Sequence, residues 1–164
     1  MQVTKATLSD VAGLGVFLHE AWREAGSGGL GFTGATEETI NEVASEGFLR
    51  KRLTNPDVQM FVVNDKGRVV GLAATRKIDA GSVELSGMVV LESATGRGIG
   101  TMLVEKVLTE IRLAGFKKLV VKTEAINERA IKFYEKMGLS QVGRGREKVE
   151  STAVDVVILE KALL

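Results

Sequence analysis

The chain has 164 residues, 45% hydrophobic and 26% charged, enough for one domain, residues 1–164, with a real core. Its 22 Lys and Arg against 21 Asp and Glu leave a net charge of +1, which argues against a nucleic-acid partner. With no cysteine and one His, the chain excludes disulfides, thiolate nucleophiles, cysteine-metal sites and a multi-histidine metal site within one chain. No apolar run is long enough for a membrane span, and MQVTKATLSD lacks a signal-peptide core, so no membrane contact is expected and the expected compartment is the cytoplasm.

Gln2 to Ala6 predicts a short first strand. Thr7-Leu8-Ser9-Asp10 has capping-box spacing, with Asp10 in place of Glu or Gln. Val11, Leu14, Leu18, Ala21 and Trp22 then form one helical stripe, with His19 just off it at the boundary or in solvent. Ala25 to Ala35, AGSGGLGFTGA, is a loop. Two readings stay open: a flexible connector, or a cover over a binding cleft with Leu30 and Phe32 as its apolar contacts. Thr36 caps a second helix, with Glu37, Glu38 and Thr39 in its first turn. Ile40, Val43, Phe48 and Leu49 form its buried face, Gly47 weakens it, and Asn55-Pro56 ends the region.

Val58 to Asn64 and Val69 to Arg76 are strands joined by a hairpin turn, Asp65-Lys66-Gly67-Arg68. The central strand, Ser82 to Val90, follows the turn Asp79-Ala80-Gly81, so three consecutive strands run antiparallel. Thr95-Gly96-Arg97-Gly98-Ile99-Gly100 then puts glycine at every second position, and a helix runs from Ile99 to about Leu113 with Gly115 as its stop. A glycine turn feeding a helix start suits an anion. The first N–H groups of the helix lack partners within it, and missing Cβ atoms let backbone approach a ligand. The ligand implied is a phosphate or pyrophosphate. Gly-Lys followed by Ser or Thr, as a P-loop needs, does not occur. The run is Gly-x-Gly-x-Gly, where a dinucleotide fingerprint needs Gly-x-Gly-x-x-Gly. A loop without any ligand stays open on these six residues alone.

Lys117 to Thr123 is the next strand, parallel to the central one because a helical crossover precedes it. Asn127 caps the last helix, Glu128 favours its first turn, Gly138 is its stop, and Ala130, Ile131, Tyr134 and Met137 share a face. Ser140 to Arg146 and Thr152 to Leu159 close the chain as two strands. Gly143-Arg144-Gly145-Arg146 is a solvated strand end, given the balanced net charge.

The order β-α-α-β-β-β-α-β-α-β-β resembles the GNAT superfamily of acetyl-CoA-dependent N-acetyltransferases over essentially the whole chain. The glycine turn resembles that family's motif A, with Gly98 and Gly100 at its two small positions. Thr95 stands where the family has Arg or Gln, and Arg97 is the cation at hand to replace that charge. ATEAINERAIKFYEKMGL resembles motif B. The resemblance implies an α/β (α+β) fold: a mixed, mostly antiparallel sheet of six to seven strands with about four helices. It implies that Met88, Val89 and Val90 lie where the central strand splays and pair with pantetheine amides, and that Thr95, Gly96, Arg97, Gly98, Ile99, Gly100 and Thr101 cradle the pyrophosphate without a metal. It places Asn127 near the pantetheine arm and Tyr134 close to the thioester sulfur.

The implied reaction is acetyl transfer from acetyl-CoA to the primary amine of an unidentified acceptor, by direct attack in a ternary complex. The N–H of Val90 would polarise the thioester carbonyl as charge develops on its oxygen. Tyr134, protonated at neutral pH with an ordinary pKa of about 10, is the candidate acid for the departing thiolate. A sensor that binds acyl-CoA without efficient catalysis, or a structural domain with a degenerate site, stays open. The resemblance is also compatible with a homodimer through the C-terminal strands. Glu84, eleven positions before Thr95, is the candidate base or acceptor-positioning group. It would share a face with Ser86 and Met88 until a bulge intervenes. The plainer reading is a solvated strand end, or pairing with a nearby Lys or Arg.

Overall fold

The computed structural model describes residues 1–25, 35–149 and 151–163. Among them, seven strands form one sheet: β1 (Gln2–Lys5), β2 (Val58–Asp65), β3 (Arg68–Lys77), β4 (Ser82–Val90), β5 (Lys118–Glu124), β6 (Ser140–Val149) and β7 (Thr152–Ala162). Their spatial order is β1-β2-β3-β4-β5-β7-β6, and every pairing is antiparallel except β4 with β5. The predicted element order holds, with one helix more. The helices are α1 (Val11–Ala25), α2 (Glu37–Val43), α3 (Glu46–Leu53), α4 (Ile99–Leu113) and α5 (Glu128–Lys136).

The extra helix comes from a break inside the predicted second one. Ser45 has extended backbone angles, its Oγ accepts from the Phe48 N–H at 3.3 Å and donates to the Glu42 carbonyl at 2.6 Å. One serine thus ends α2 and caps α3. The apolar spacing of Ile40, Val43 and Phe48 runs through this break and hides it. The glycine-rich stretch with Leu30 and Phe32 falls outside the described residues except at its ends, where the Trp22 indole N–H donates to the Ala35 carbonyl at 3.2 Å.

The core lies where α4 crosses the sheet. Ile99, Leu103, Val104, Val107, Leu108 and Ile111 are buried against β2, β3 and β4. Each such side chain is worth about 1.5–3 kcal/mol of burial. α1 and α3 pack against β3 and β2. Phe17, outside the predicted α1 stripe, is fully buried, whereas Trp22 is only partly so. Gly115 and Gly138 end α4 and α5 with φ of 90° and 94°, as their sequence positions predict.

The register of β4 decides which residues share a face. Leu85 pairs with Thr75 and Gly87 with Ala74, so Ser86 is an extra residue, a bulge. Its hydroxyl donates to the Ala74 carbonyl at 3.2 Å. Direct partners share a face, so the bulge reverses the alternation. Glu84 and Gly87 follow Arg76 and Ala74 on one side, while Leu85, Met88 and Val90 follow Thr75, Ala73 and Gly71 on the other. The expected common face for Glu84 and Met88 is therefore corrected. The Met88 side is covered by α4: a Cβ added at Gly71 would fall 2.7 Å from Ile99 Cγ2.

Candidate active site

β4 and β5 are paired over only four residues, from Ser82 with Lys118 to Leu85 with Val121. Beyond that point β4 stays bonded to β3 as far as Val90, and β5 stays bonded to β7 as far as Glu124. The two halves of the sheet part there, starting at Ser86, two residues earlier than the Met88 to Val90 region that the sequence suggests. The Ser86 bulge sits at the parting point, because an extra residue bends and twists its strand. Backbone groups of β4 from Ser86 on thus face a gap instead of a strand.

That gap opens into a cleft of about 550 Å³. Its floor is the splayed β4, with Met88 and Val90. One wall is the glycine turn and the start of α4, with Thr95, Gly96, Gly98, Ile99, Gly100 and Thr101. The other wall is the end of β5 and α5, with Asn127, Phe133 and Tyr134. Ten of the predicted site residues therefore meet at one cavity. Three do not line it: Val89, Arg97 and Glu84. Val89 shares the face of Glu84 and Gly87, away from α4, by the alternation after the bulge.

The turn leaves backbone amides exposed at the head of α4. Gly96 and Gly98 have φ of 80° and 77°, the left-handed region where a side chain is strained. Gly98 is the N-cap of α4 and supplies no side-chain cap. The amides of Gly98, Ile99, Gly100 and Thr101 thus lack helical partners beside the cleft. Gly100 serves packing: a Cβ there would lie 3.3 Å from Phe133 Cζ, so its absence lets α4 and α5 close on each other.

The charge expected at this turn is placed differently. Arg97 donates to the Asp65 carboxylate at 2.9 Å, which ties the turn to the β2–β3 hairpin and aims the guanidinium away from the cleft. Thr95 spends its hydroxyl on the Glu92 carbonyl at 2.8 Å and its N–H on the same oxygen at 3.2 Å. A second tether holds this segment from behind. The Glu24 carboxylate accepts from the Ser93 N–H at 3.1 Å and from its hydroxyl at 2.9 Å. The Ser93 backbone N–H holds that carboxyl below its ordinary value.

Tyr134 is 7% exposed and packs edge-on against Phe133, ring centroids 5.2 Å apart. Burial pushes its phenol up to about 12. Desolvation disfavours the phenolate, so the proton stays on at neutral pH. The Asn127 side-chain oxygen accepts from the Ala130 N–H at 3.1 Å, which fixes the start of α5 and so the position of Tyr134 two turns on.

Glu84 is 8% exposed and engaged. Arg76 donates to it at 2.8 Å and Lys122 Nζ lies 4.0 Å away; Lys122 also pairs with Glu147 at 3.0 Å. The plainer expectation, a partner from a nearby Lys or Arg, describes this geometry. Two cationic cleft residues were not singled out in the sequence: Lys122 and Arg129. A lysine inside the apolar strand KLVVKTE was the available signal for Lys122. Arg129 lies in the first turn of a polar helix and carries no such signal.

A family model described as acetyltransferase (GNAT) family matches residues 16–139. The chain belongs to this family. It is 33% identical over 92 residues to an IAA acetyltransferase of Azospirillum brasilense, a match covering 56% of this chain and 60% of that one. The chain spans less than two thirds of the curated relatives it matches. Among solved structures, a protein of Streptococcus mutans UA159 superposes with a TM-score of 0.78, at 22% identity and full coverage of both chains. A PaiA N-acetyltransferase of Thermoplasma acidophilum, solved in complex with coenzyme A, superposes with a TM-score of 0.76, at 20% identity and 98% coverage of both. These structures share the fold. Among the described residues no helix is long and apolar enough to cross a membrane.

Proposed function

We propose that the protein transfers the acetyl group of acetyl-CoA to a primary amine by direct attack within a ternary complex. The observation that carries this reading is the cleft itself. An unpaired strand edge, a glycine-rich helix start and a protonated tyrosine converge on one cavity in a family member. The coenzyme A complex of the Thermoplasma relative supports the choice of cofactor.

The pyrophosphate lies against the amides of Gly98 to Thr101, where the helix dipole favours negative charge. Thr95, Gly96 and the backbone of Arg97 complete the turn. The pantetheine arm runs along β4, taking backbone bonds from Met88, Val89 and Val90 and passing Asn127. The Val90 N–H polarises the thioester carbonyl. The amine attacks the carbonyl carbon, the C–S bond breaks, and Tyr134 gives its proton to the leaving sulfur. A phenol held protonated by burial is suited to donating and unsuited to accepting. Glu84 stands on the opposite side of β4 from Met88, where it attracts and orients the incoming ammonium or takes its proton.

The test is release of free thiol from acetyl-CoA across a panel of amines, together with thermal stabilisation by coenzyme A. Stabilisation with turnover on at least one amine supports the transferase. Stabilisation without turnover on any would replace it with an acyl-CoA sensor. Greater stabilisation by ATP than by coenzyme A would end the reading.

A further inference from the structure

On the Glu84 side of the sheet, one half-buried cation has no counter-charge among the described residues. Arg52, in the last turn of α3, has its Nε buried with no hydrogen-bond partner. Among the described residues its guanidinium makes no ion pair; it lies over the Phe48 ring, 6.0 Å from Cζ to centroid. Buried donors are almost always satisfied, and a half-buried cation without an anion is costly. The next charge along is another cation. Arg76 is paired across the sheet with Val58, the first residue of the strand that α3 packs on. Burial and the Arg76 charge both hold the Arg52 guanidinium below its ordinary value.

The charges around it do not restore balance. Arg76 is bonded to Glu84, and Lys122 to Glu147. Among the described residues these three cations therefore share two carboxylates, and Arg52 is the one left over. Outside the described residues, 26–34 hold no Asp or Glu, and Glu150 is the one acidic side chain. The cluster also reaches the cleft: Arg76 bonds Glu84, Glu84 lies 4.0 Å from Lys122, and Lys122 lines the cavity. Next to Glu84 on the same face, a Cβ added at Gly87 would meet nothing within 4 Å, so there is free space beside the backbone there.

We infer that Arg52, flanked by Arg76, binds a carboxylate on the acceptor, so that the acetylated amine belongs to the amino acid class. This inference rests on the acetyltransferase reading and adds its acceptor. An arginine fork matches a carboxylate with two parallel bonds, which an amide cannot reproduce. The amine of the same molecule is left to Glu84 and the cleft.

The experiment uses matched pairs with the full chain. α-Amino acids and ω-amino acids of increasing length are compared with their amides, in the presence of coenzyme A for binding and acetyl-CoA for thiol release. At least one acid should bind and react, with kcat/KM at least tenfold above its amide. Arg52→Gln should remove that ratio by lowering the acid to the level of the amide, Arg52→Lys should keep part of it, and stabilisation by coenzyme A should be unchanged in both. Equal values for acid and amide in the wild type overturn the inference, and this comparison needs no variant to fold. An equal loss on both partners in Arg52→Gln overturns it too. If coenzyme A stabilises the protein and no acid binds or reacts, the inference falls while the cofactor reading stands. If coenzyme A itself fails to bind, the transferase reading falls first and takes this one with it.

Discussion

On the α4 side of β4 the cleft is made mostly of backbone: helix amides, two left-handed glycines and a strand edge left open by a bulge. The other face of β4 carries a cluster of long charged side chains, of which Lys122 lines the cleft. Arg52, Arg76, Glu84, Lys122 and Glu147 come from α3, β3, β4, β5 and β6. The first side is local in sequence and the second is assembled from five elements across the sheet. The difference separates two kinds of recognition. A backbone cradle suits a ligand with a fixed polyanionic handle. A side-chain cluster can be retuned one residue at a time, which suits the acceptor, the substrate that differs among transferases.

The largest effect should come from damaging the backbone side. Gly98→Asp puts a side chain and a negative charge at the turn and forces a non-glycine residue to φ of 77°. Coenzyme A at a hundred times its Kd adds about 2.7 kcal/mol of stability to a protein that binds it only when folded. In a thermal-shift titration the variant should lose that gain altogether. Gly98→Ala adds the strain without the charge, so it should be less stable than wild type by about 1 kcal/mol yet still respond to coenzyme A. If Gly98→Asp keeps the full response, the cradle is not where the phosphates lie.

Next comes Tyr134, the proposed proton donor. Tyr134→Phe should lower kcat by about a hundredfold and leave coenzyme A binding nearly unchanged. Tyr134 is the only tyrosine, so absorbance near 295 nm reports its ionisation directly. The midpoint should be about 12 in the folded protein, against about 10 in denaturant. The sign follows from that gap. The folded-state value is raised, so the unfolded chain ionises first, and stability falls as pH rises through 10 and levels off above 12. Tyr134→Phe should lack this loss, which is on the order of 2–3 kcal/mol for a two-unit gap. Unchanged kcat in the variant would reduce the tyrosine to packing.

The third effect tests the side-chain face. Glu84→Gln keeps the shape and one acceptor for Arg76 but removes the charge. Stability should fall by about 1 kcal/mol, since Lys122 retains Glu147 and Arg76 is half exposed. If Glu84 takes the ammonium proton, kcat/KM should fall about tenfold at neutral pH and recover in part as pH rises and the amine loses its proton unaided. If it only attracts the ammonium, KM should rise at every pH with kcat kept. Identical pH profiles in both proteins would leave Glu84 with a structural role alone.

Legibility in the sequence follows the same division. β4 and α4 begin and end where the sequence places them, because a β-rich run, three alternate glycines and a 3.6-residue stripe are local signals. Tyr134 and Asn127 were legible for the same reason. The bulge at Ser86 was not, since its register is set by β3 across the sheet, and it reverses the side on which Met88 stands relative to Glu84. The pairing of Arg97 with Asp65 depends on a hairpin thirty-two residues earlier. Arg52 drew no reading from the sequence, as one of three basic residues in the last turn of α3; only the fold brings it beside Arg76.

The smallest effect distinguishes backbone from charge on the cofactor side. On the proposed reading Thr95 stands where a longer cationic side chain would face the pyrophosphate, and Arg97 does not replace that cation because Asp65 holds it. Two substitutions separate these roles. Arg97→Ala should leave the coenzyme A Kd within about twofold, with a stability loss of under 1 kcal/mol for an exposed ion pair. Thr95→Arg removes the hydroxyl bond to the Glu92 carbonyl but keeps the N–H bond to the same oxygen. The added guanidinium should tighten coenzyme A by about five- to tenfold at low salt, as one charge-assisted contact to phosphate would. That gain should shrink as ionic strength rises, because the turn is open to solvent. Isothermal titration at two salt concentrations measures both arms. A large loss with Arg97→Ala, or no gain with Thr95→Arg, would mean that the Arg97 side chain leaves Asp65 for the phosphates when the cofactor binds, and that the cradle is less purely backbone than its geometry indicates.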